Sequence, residues 1–354
     1  MPNTVKSRRP TLDDVAARAG VSAKTVARVA NGESGVGDAT RERVSLIIRE
    51  MNFRINHSAR ALAASRTYSI AIVTGWVPAY YITQMFEAAE RISTRHGFQL
   101  VLRQIDLVEP GALDSFAAAL RRQPVDGALV TAPLCDDLAL LDLLENEGIR
   151  YVRHSPLHEP ERSDAVYSEE AHGARLVIDH LLELGHRRFG LLTGPSGHFS
   201  SAVRTESALE RLAVAGIAPA EVPVVQISTN SGGFKASFEA TAQIMQTEPR
   251  PTALFCFNDL VAAGAVAYLQ SIGLSAPRDV AVAGFGNADF GLLTTPQITT
   301  VRQPNAEMAV AAMEWLTSSP AAAPRLLTLP VDLIARASTN GRIGIDFGPG
   351  DSVT

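Results

Sequence analysis

The chain has 354 residues, 46% of them hydrophobic, with 32 Lys/Arg against 37 Asp/Glu and 2 cysteines. That length exceeds what one ordinary core organises, so two or three domains are expected. No apolar run reaches the roughly 18 residues of a membrane span or has the pattern of a secretion signal, and Cys135 and Cys256, without a CxxC spacing, exclude a disulfide scaffold.

Charge is unevenly spread: residues 1–66 hold 12 Lys/Arg against 6 Asp/Glu, and the remainder 20 against 31. Only the N-terminal segment therefore carries the electrostatic footprint of a nucleic-acid binder. It opens with a basic arm, Lys6-Ser-Arg-Arg9. Thr11 then supplies a capping hydroxyl, and Asp13 and Asp14 put negative charge where a helix dipole favours it. Ala19-Gly20 reads as a tight turn and Ser22 as the cap of a second helix, with Val15, Ala16, Val21, Val26 and Val29 facing inward. Ala23, Lys24, Thr25 and Arg28 face outward. A helix, a glycine turn and a second helix form the smallest device that enters a DNA major groove, where such an outward set meets bases and phosphates. Asp38 is expected to cap a third helix, in which Val44, Ile47, Ile48 and Met51 recur at helical spacing.

The run from Asn52 to Arg66 predicts a short helix with one large apolar residue, Leu62, among small and basic neighbours. Such a helix has too little apolar surface for a core. A basic linker with one apolar wedge suits the minor groove, where an inserted side chain partly unstacks a base step.

In these motifs the chain resembles the lac repressor (LacI/GalR) family of bacterial transcription regulators. The resemblance rests on TLDDVAARAGVSAKTVARVAN from Thr11, TRERV from Thr40, MNFRINHSARALA from Met51, HLLELGHRR from His180, PTALFCFND from Pro251, DVAVAGF from Asp279 and PQITTVRQP from Pro296. Together these span nearly the whole chain. The resemblance implies that Ala23, Lys24 and Arg28 read bases, that Asn31 contacts the DNA backbone, and that Leu62 wedges into the operator centre. Thr11, Ser22, Thr25, Asn56 and Arg60 complete the expected DNA-binding set. Ala27 stands where the family usually has a phosphate-contacting serine, and Ile55 where a proline commonly precedes the hinge. Losing one hydroxyl weakens a sequence-independent contact rather than the reading of bases.

From Tyr68 onward apolar runs alternate with amphipathic stretches. Strands are expected at 69–73, 99–102, 127–130, 151–152, 189–192, 222–227, 253–256, 280–282 and 299–301, with helices at 82–96, 138–146, 174–184, 200–215, 233–246 and 260–272. Alternation of this kind implies parallel sheets covered by helices on both faces, with ligands bound at the carboxyl ends of strands. The expected fold is an all-α helix-turn-helix head followed by an α/β sensor. By the resemblance this sensor is periplasmic-binding-protein-like, with two lobes, a ligand cleft between them and crossovers near Ser168, Ile298 and Leu327. The domains are then residues 1–55 for the head, 56–67 for hinge helix and linker, 68–345 for ligand binding and dimerisation, and 346–354 for a tail. The first lobe comprises 68–168 and 299–326, the second 169–298 and 327–345.

The loop Gly75-Trp-Val-Pro-Ala-Tyr80-Tyr81 follows the first sensor strand. Trp76, Tyr80 and Tyr81 either stack on the apolar face of a sugar ring or anchor the loop. By the resemblance, Arg204 and the pair Asn258-Asp259 bind effector, and Arg153 falls near another cleft position. A buried guanidinium facing an aspartate gives bidentate polar contacts. Where relatives carry Gly-Phe-Asp-Asp this chain has Gly284-Phe-Gly-Asn287-Ala-Asp289, so Asn287 and Asp289 are expected to take over. Two arginines point to a sugar acid, unless Asp136 or Asp137 neutralises them.

Enzymatic readings are weak. Gly284-Phe-Gly lacks the third glycine of a dinucleotide fingerprint, and Gly194-Pro-Ser-Gly is no nucleophile elbow. His154 and His158 are separated by Pro156, which suits a solvated loop pair rather than a metal face. His180 and His186 are expected to cap a helix end. No metal or cofactor is expected. The expected protein is a cytoplasmic, nucleoid-associated dimeric repressor of carbohydrate-utilisation genes that binds a pseudo-palindromic operator, since one recognition helix reads only a half-site. Its effector is a sugar or sugar acid, and helices 82–96 and 233–246 are candidate dimer elements. The alternatives are a regulator with a non-sugar corepressor, and a solute-binding module or sugar-acting α/β enzyme without operator binding.

Overall fold

The computed structural model describes residues 10–30, 34–53, 66–196, 198–227 and 233–340. The basic arm, Asn31, the expected linker helix with Asn56, Arg60 and Leu62, and the C-terminal tail lie outside the described residues. The chain divides into two compact units, Met1–Tyr68 and Ser69–Thr354.

In the first unit, α1 (Leu12–Ala19) begins at a reciprocal capping box. The Thr11 hydroxyl accepts from the Asp14 amide at 3.3 Å, and the Asp14 carboxylate accepts from the Thr11 amide at 2.7 Å. Gly20, at φ 65°, ends the helix in the left-handed region that glycine enters without strain. The Ser22 hydroxyl accepts from the Thr25 amide at 3.2 Å and so caps α2 (Ala23–Ala30). Gly37 is the cap residue of α3 (Asp38–Glu50), and Asp38 is the first helical residue instead of the expected cap. Its charge still favours the helix start through the dipole. Val15, Val26, Val44, Ile47 and Phe53 close the three-helix core, with Ile48 and Met51 packed at its margin.

The second unit holds two parallel sheets. In the first lobe the strand order is β11-β5-β4-β3-β1-β2, formed by β1 (Ser69–Thr74), β2 (Gln99–Gln104), β3 (Gly127–Thr131), β4 (Arg150–His154), β5 (Asp164–Ser168) and β11 (Leu326–Leu329). The helices α4 (Ala79–Arg95), α5 (Ala112–Arg122) and α6 (Leu138–Asn146) belong with them in chain order. In the second lobe the order is β7-β6-β8-β9, from β6 (Phe189–Thr193), β7 (Val224–Gln226), β8 (Ala253–Cys256) and β9 (Ala281–Ala283). Its helices are α7 (Glu170–Glu183), α8 (Phe199–Val214), α9 (Phe234–Ile244) and α10 (Asp259–Ser271). Ile70, Ile72, Leu129 and Val130 are fully buried, as strands covered on both faces require.

Between the lobes the chain crosses after β5, again at β10 (Thr300–Arg302), and a third time between β11 and β12 (Asp332–Ile334), which pairs antiparallel with β10. The third crossover is thus later than the expected Leu327, because Leu326–Leu329 pair in register with Ala165–Ser168 as the edge of the first sheet. α11 (Asn305–Thr317) returns to pack on α4, where Ser93 donates to Met313 Sδ at 3.4 Å. α12 (Ala337–Asn340) is fastened to the second lobe, with Ser338 donating to Val282 O at 2.5 Å. As expected, His180 and His186 close the α7 end, through the backbone: the His186 amide donates to Leu181 O at 3.2 Å and the His180 carbonyl accepts from the Leu184 amide at 3.1 Å. Their rings reach distant hydroxyls, Thr339 at 2.8 Å and Thr252 at 3.1 Å. Cys135 and Cys256 are buried free thiols.

Candidate functional site

The carboxyl ends of the sheet strands face a cleft between the two lobes, with about 690 Å³ of atom-free space including its open mouth. From the first lobe Tyr80 and Tyr81 line it at the start of α4, with His154 and Ser155 at the end of β4. From the second lobe come Glu170, His198, Arg204, Phe257, Asn258 and Phe285, and Gln303 enters from the second crossover.

Arg204 is 5% exposed, and its guanidinium lies over the Phe285 ring at 3.6 Å and the Phe257 ring at 5.1 Å. Its Nε donates to Glu170 at 2.5 Å and its Nη1 to Phe257 O at 2.5 Å. Glu170 also accepts from the Ser168 hydroxyl and from Gln303 Nε2, each at 2.8 Å. Sequence reasoning paired Arg204 with Asp259; the structure pairs it with Glu170, which had not been singled out. Two adjacent acids, Glu169-Glu170, directly after the first crossover were the available signal.

Asp259 is fully buried behind the cleft lining. It accepts from the Ala288 amide at 2.6 Å, while its other oxygen has no partner, and burial pushes its pKa up to about 6. A Cβ at Gly284 would fall 2.3 Å from that oxygen, which accounts for the glycine. Asn258 lines the cleft, yet its side-chain oxygen is engaged by the Val261 amide at 2.9 Å as the cap of α10.

Other expected effector residues lie away from the cleft. Arg153 is 1% exposed and spends its guanidinium inside the first lobe, on Ser163 at 3.0 Å, on His158 O at 2.9 Å and on Glu159 O. Asp136 does not neutralise it; that carboxylate accepts from the Leu157 and His158 amides, each at 2.9 Å. Asp137 caps α6 through the Leu140 amide at 2.8 Å. Trp76 is 56% exposed and outside the lining, and Asp289 is exposed in a short 3-10 turn. Asn287 accepts from Arg336 at 2.7 Å through its side chain and from Gln84 at 3.4 Å through its carbonyl, bridging second lobe to first.

Tyr80 packs edge to face on Phe290 with centroids 5.3 Å apart, and the Tyr81 hydroxyl meets His154 Nδ1 at 3.1 Å. Burial pushes both phenols far up, so they act as neutral hydroxyls. His154, expected in a solvated loop, is instead 2% exposed in the cleft wall, and burial lowers its pKa to about 4. His158 alone of that pair is exposed.

On the first unit, Lys24 and Arg28 are exposed one turn apart on α2, with Ala23 and Thr25 half-buried beside them. The Ser22 and Thr25 hydroxyls meet at 2.9 Å, and the Thr11 hydroxyl donates to Asp14 at 2.7 Å, so these three hold the turn and helix starts together. No cluster of His, Cys, Asp and Glu among the described residues has the geometry to hold a metal ion. No helix among them is long and apolar enough to cross a membrane.

Comparison with known proteins matches residues 11–56 to the model for bacterial regulatory proteins of the lacI family, and residues 178–339 to that for a periplasmic binding protein-like domain. The HTH-type transcriptional repressor PurR of Edwardsiella ictaluri is 31% identical over 319 residues, covering 86% of this chain and 89% of that one. Among solved structures, a lac repressor dimer bound to operator and the anti-inducer ONPF is 27% identical with a TM-score of 0.74, covering 94% of this chain and 99% of the other. A complex of the transcriptional regulator CelR with cellobiose is 28% identical with a TM-score of 0.69, covering 93% and 100%.

Proposed function

This chain belongs to the lacI family of bacterial regulatory proteins, and from that premise we propose that it represses carbohydrate-utilisation genes as a homodimer on a pseudo-palindromic operator, with a small sugar-type molecule in the cleft setting its operator affinity. The family is one of transcription regulators, so a sugar-acting enzyme is set aside. The observation that carries the sensing reading is the cleft itself, lined by side chains from both lobes. A ligand held by both walls favours the closed arrangement by its differential affinity, which is the coupling that regulation needs. The cellobiose carried by its relative CelR supports a sugar effector.

Lys24 and Arg28 are assigned to base edges, with Ala23 admitting close approach and Ser22 and Thr25 near the phosphates. Asn31, Asn56, Arg60 and the Leu62 wedge complete the proposed DNA contacts. The helices 82–96 and 233–246 remain the proposed dimer elements. One face of α4 is taken by α11, while Phe234 at the start of α9 is 52% exposed and available for a second copy to cover. The proposed compartment is the cytoplasm, at the nucleoid.

Selection of bound duplexes from random DNA by the full-length protein, with and without a panel of sugars, tests this reading. A two-fold symmetric site whose yield changes with one sugar is the expected result; no enriched site under any condition overturns it. Leu62→Ala is expected to weaken binding to that site more than to unrelated DNA, and equal losses remove the wedge.

A further inference from the structure

Three atoms of the cleft lining are buried without a hydrogen-bond partner in the protein: His154 Nε2 and Ser155 Oγ from the first lobe, and His198 Nε2 from the second. Buried polar groups in native proteins are nearly always satisfied, so orphans gathered around one cavity point to a partner that occupies it. Two of the three side chains are held by defined contacts. His154 is fixed through its other ring nitrogen by the Tyr81 hydroxyl at 3.1 Å. Ser155 is 3% exposed and sits at φ 53°, a left-handed conformation costly for a non-glycine residue, held by its amide donating to Val166 O at 2.8 Å.

The charge of the site is equally defined. Burial lowers the pKa of both histidines, so their rings are neutral near pH 7. Arg204, the cation of the lining, is already closed onto Glu170 at 2.5 Å. Arg153 is turned away into the first lobe, which removes the second positive charge that favoured a sugar acid. A ligand carboxylate would therefore bring uncompensated charge into a buried site, and that group could accept hydrogen bonds without donating any. A hydroxyl both donates and accepts. It satisfies a serine oxygen, and it satisfies an imidazole nitrogen in either tautomer.

We infer that the effector is an uncharged polyhydroxylated molecule whose hydroxyls join His154 and Ser155 of the first lobe to His198 of the second, and that the matching sugar acids are rejected. The inference rests on the reading of this cleft as the effector site. Tyr80, Tyr81 and Phe257 supply the apolar walls for the carbon faces of such a ring.

Isothermal titration calorimetry of the full-length protein with matched pairs tests it: glucose against gluconate and glucuronate, galactose against galacturonate, cellobiose against cellobionate, and hypoxanthine as a neutral non-sugar. At least one neutral sugar is expected to bind, with its acid partner about a hundredfold weaker. His154→Ala and His198→Ala are each expected to weaken that sugar about three- to tenfold. His154→Gln, which keeps a polar group and much of the volume, is expected to fall between parent and alanine variant. An acid or hypoxanthine that binds more tightly than every neutral sugar overturns the inference. If Tyr81→Ala abolishes that binding, the cleft still stands as the effector site and only the ligand class falls. A neutral sugar indifferent to both histidine substitutions also overturns it. Heat from none of these compounds overturns the inference and the cleft reading together.

Discussion

Arg204 lies between two aromatic rings with its Nε on a buried carboxylate, so its removal strands Glu170 among neutral donors. Arg204→Ala is expected to cost about 3–5 kcal/mol of sensor stability, seen as a lower melting temperature, and Glu170→Ala in the same chain to restore part of it. Fluorescence anisotropy of labelled operator, with and without sugar, should show the response abolished; a variant that still responds removes Arg204 from the site. Two titrating groups give a second test. His154 is depressed from 6.5 to about 4, so its contribution is whole above 6.5 and is lost as pH falls towards 4. Asp259 is raised from 3.8 to about 6, so its contribution is whole below 3.8 and is lost as pH rises through 6. The two oppose each other between pH 4 and 6, and substitution separates them. Melting temperatures are expected to rise for His154→Gln relative to the parent as pH falls from 7 to 4.5, and for Asp259→Asn relative to the parent as pH rises over the same range. Slopes that do not change would mean that neither group is perturbed. At this scale the sequence was only partly legible. Arg153 follows Tyr151-Val152 and Arg204 follows Ala202-Val203, and nothing local distinguishes an arginine that satisfies its own lobe's carbonyls from one that faces a cavity. Glu170 draws partners from Arg204 and Gln303, far along the chain, where no local pattern reaches.

At the scale of elements, the starts of α1 and α2 were legible because capping is local chemistry. Thr11, Asp14 and Ser22 act within three residues of themselves. Thr11→Ala is expected to destabilise the head by about 1 kcal/mol, measured by calorimetry of the full chain as an earlier head transition. On α2, Arg28→Ala should relax discrimination at one base pair by about 1–3 kcal/mol. Lys24→Ala losing affinity equally on all sequences would reassign that side chain to phosphate. Competition binding with single-base operator variants separates these outcomes. The doubly covered strands were read correctly from their apolar runs, but the first lobe's other edge was missed. β5 is a short Asp-Ala-Val-Tyr-Ser segment with polar ends, and β11 alternates exposed and half-buried residues. α11 was missed for the opposite reason: Asn305–Thr317 is so evenly apolar that no stripe marks it as helical.

For the whole molecule, the lobes touch through side chains as well as through crossovers. Tyr80 meets Phe290 at 5.3 Å, Gln84 meets Asn287 at 3.4 Å, and Tyr167 meets Phe199 at 5.9 Å. An edge-to-face pair contributes about 0.5–1.5 kcal/mol, so Phe290→Ala should shift an open–closed equilibrium about two- to tenfold towards open. Small-angle scattering without ligand is expected to give a larger radius of gyration for that variant, and an unchanged radius removes Phe290 from lobe closure. Sedimentation equilibrium should give twice the chain mass of 37.7 kDa if the dimer proposal holds. Glu170 has a further consequence at this scale. Its carboxylate holds Ser168 at the first crossover, Gln303 at the second and Arg204 on the cleft wall. A molecule that pulls on Arg204 therefore loads two pivots in the same instant. Sensing and bending then share one joint, and no relay has to run between them.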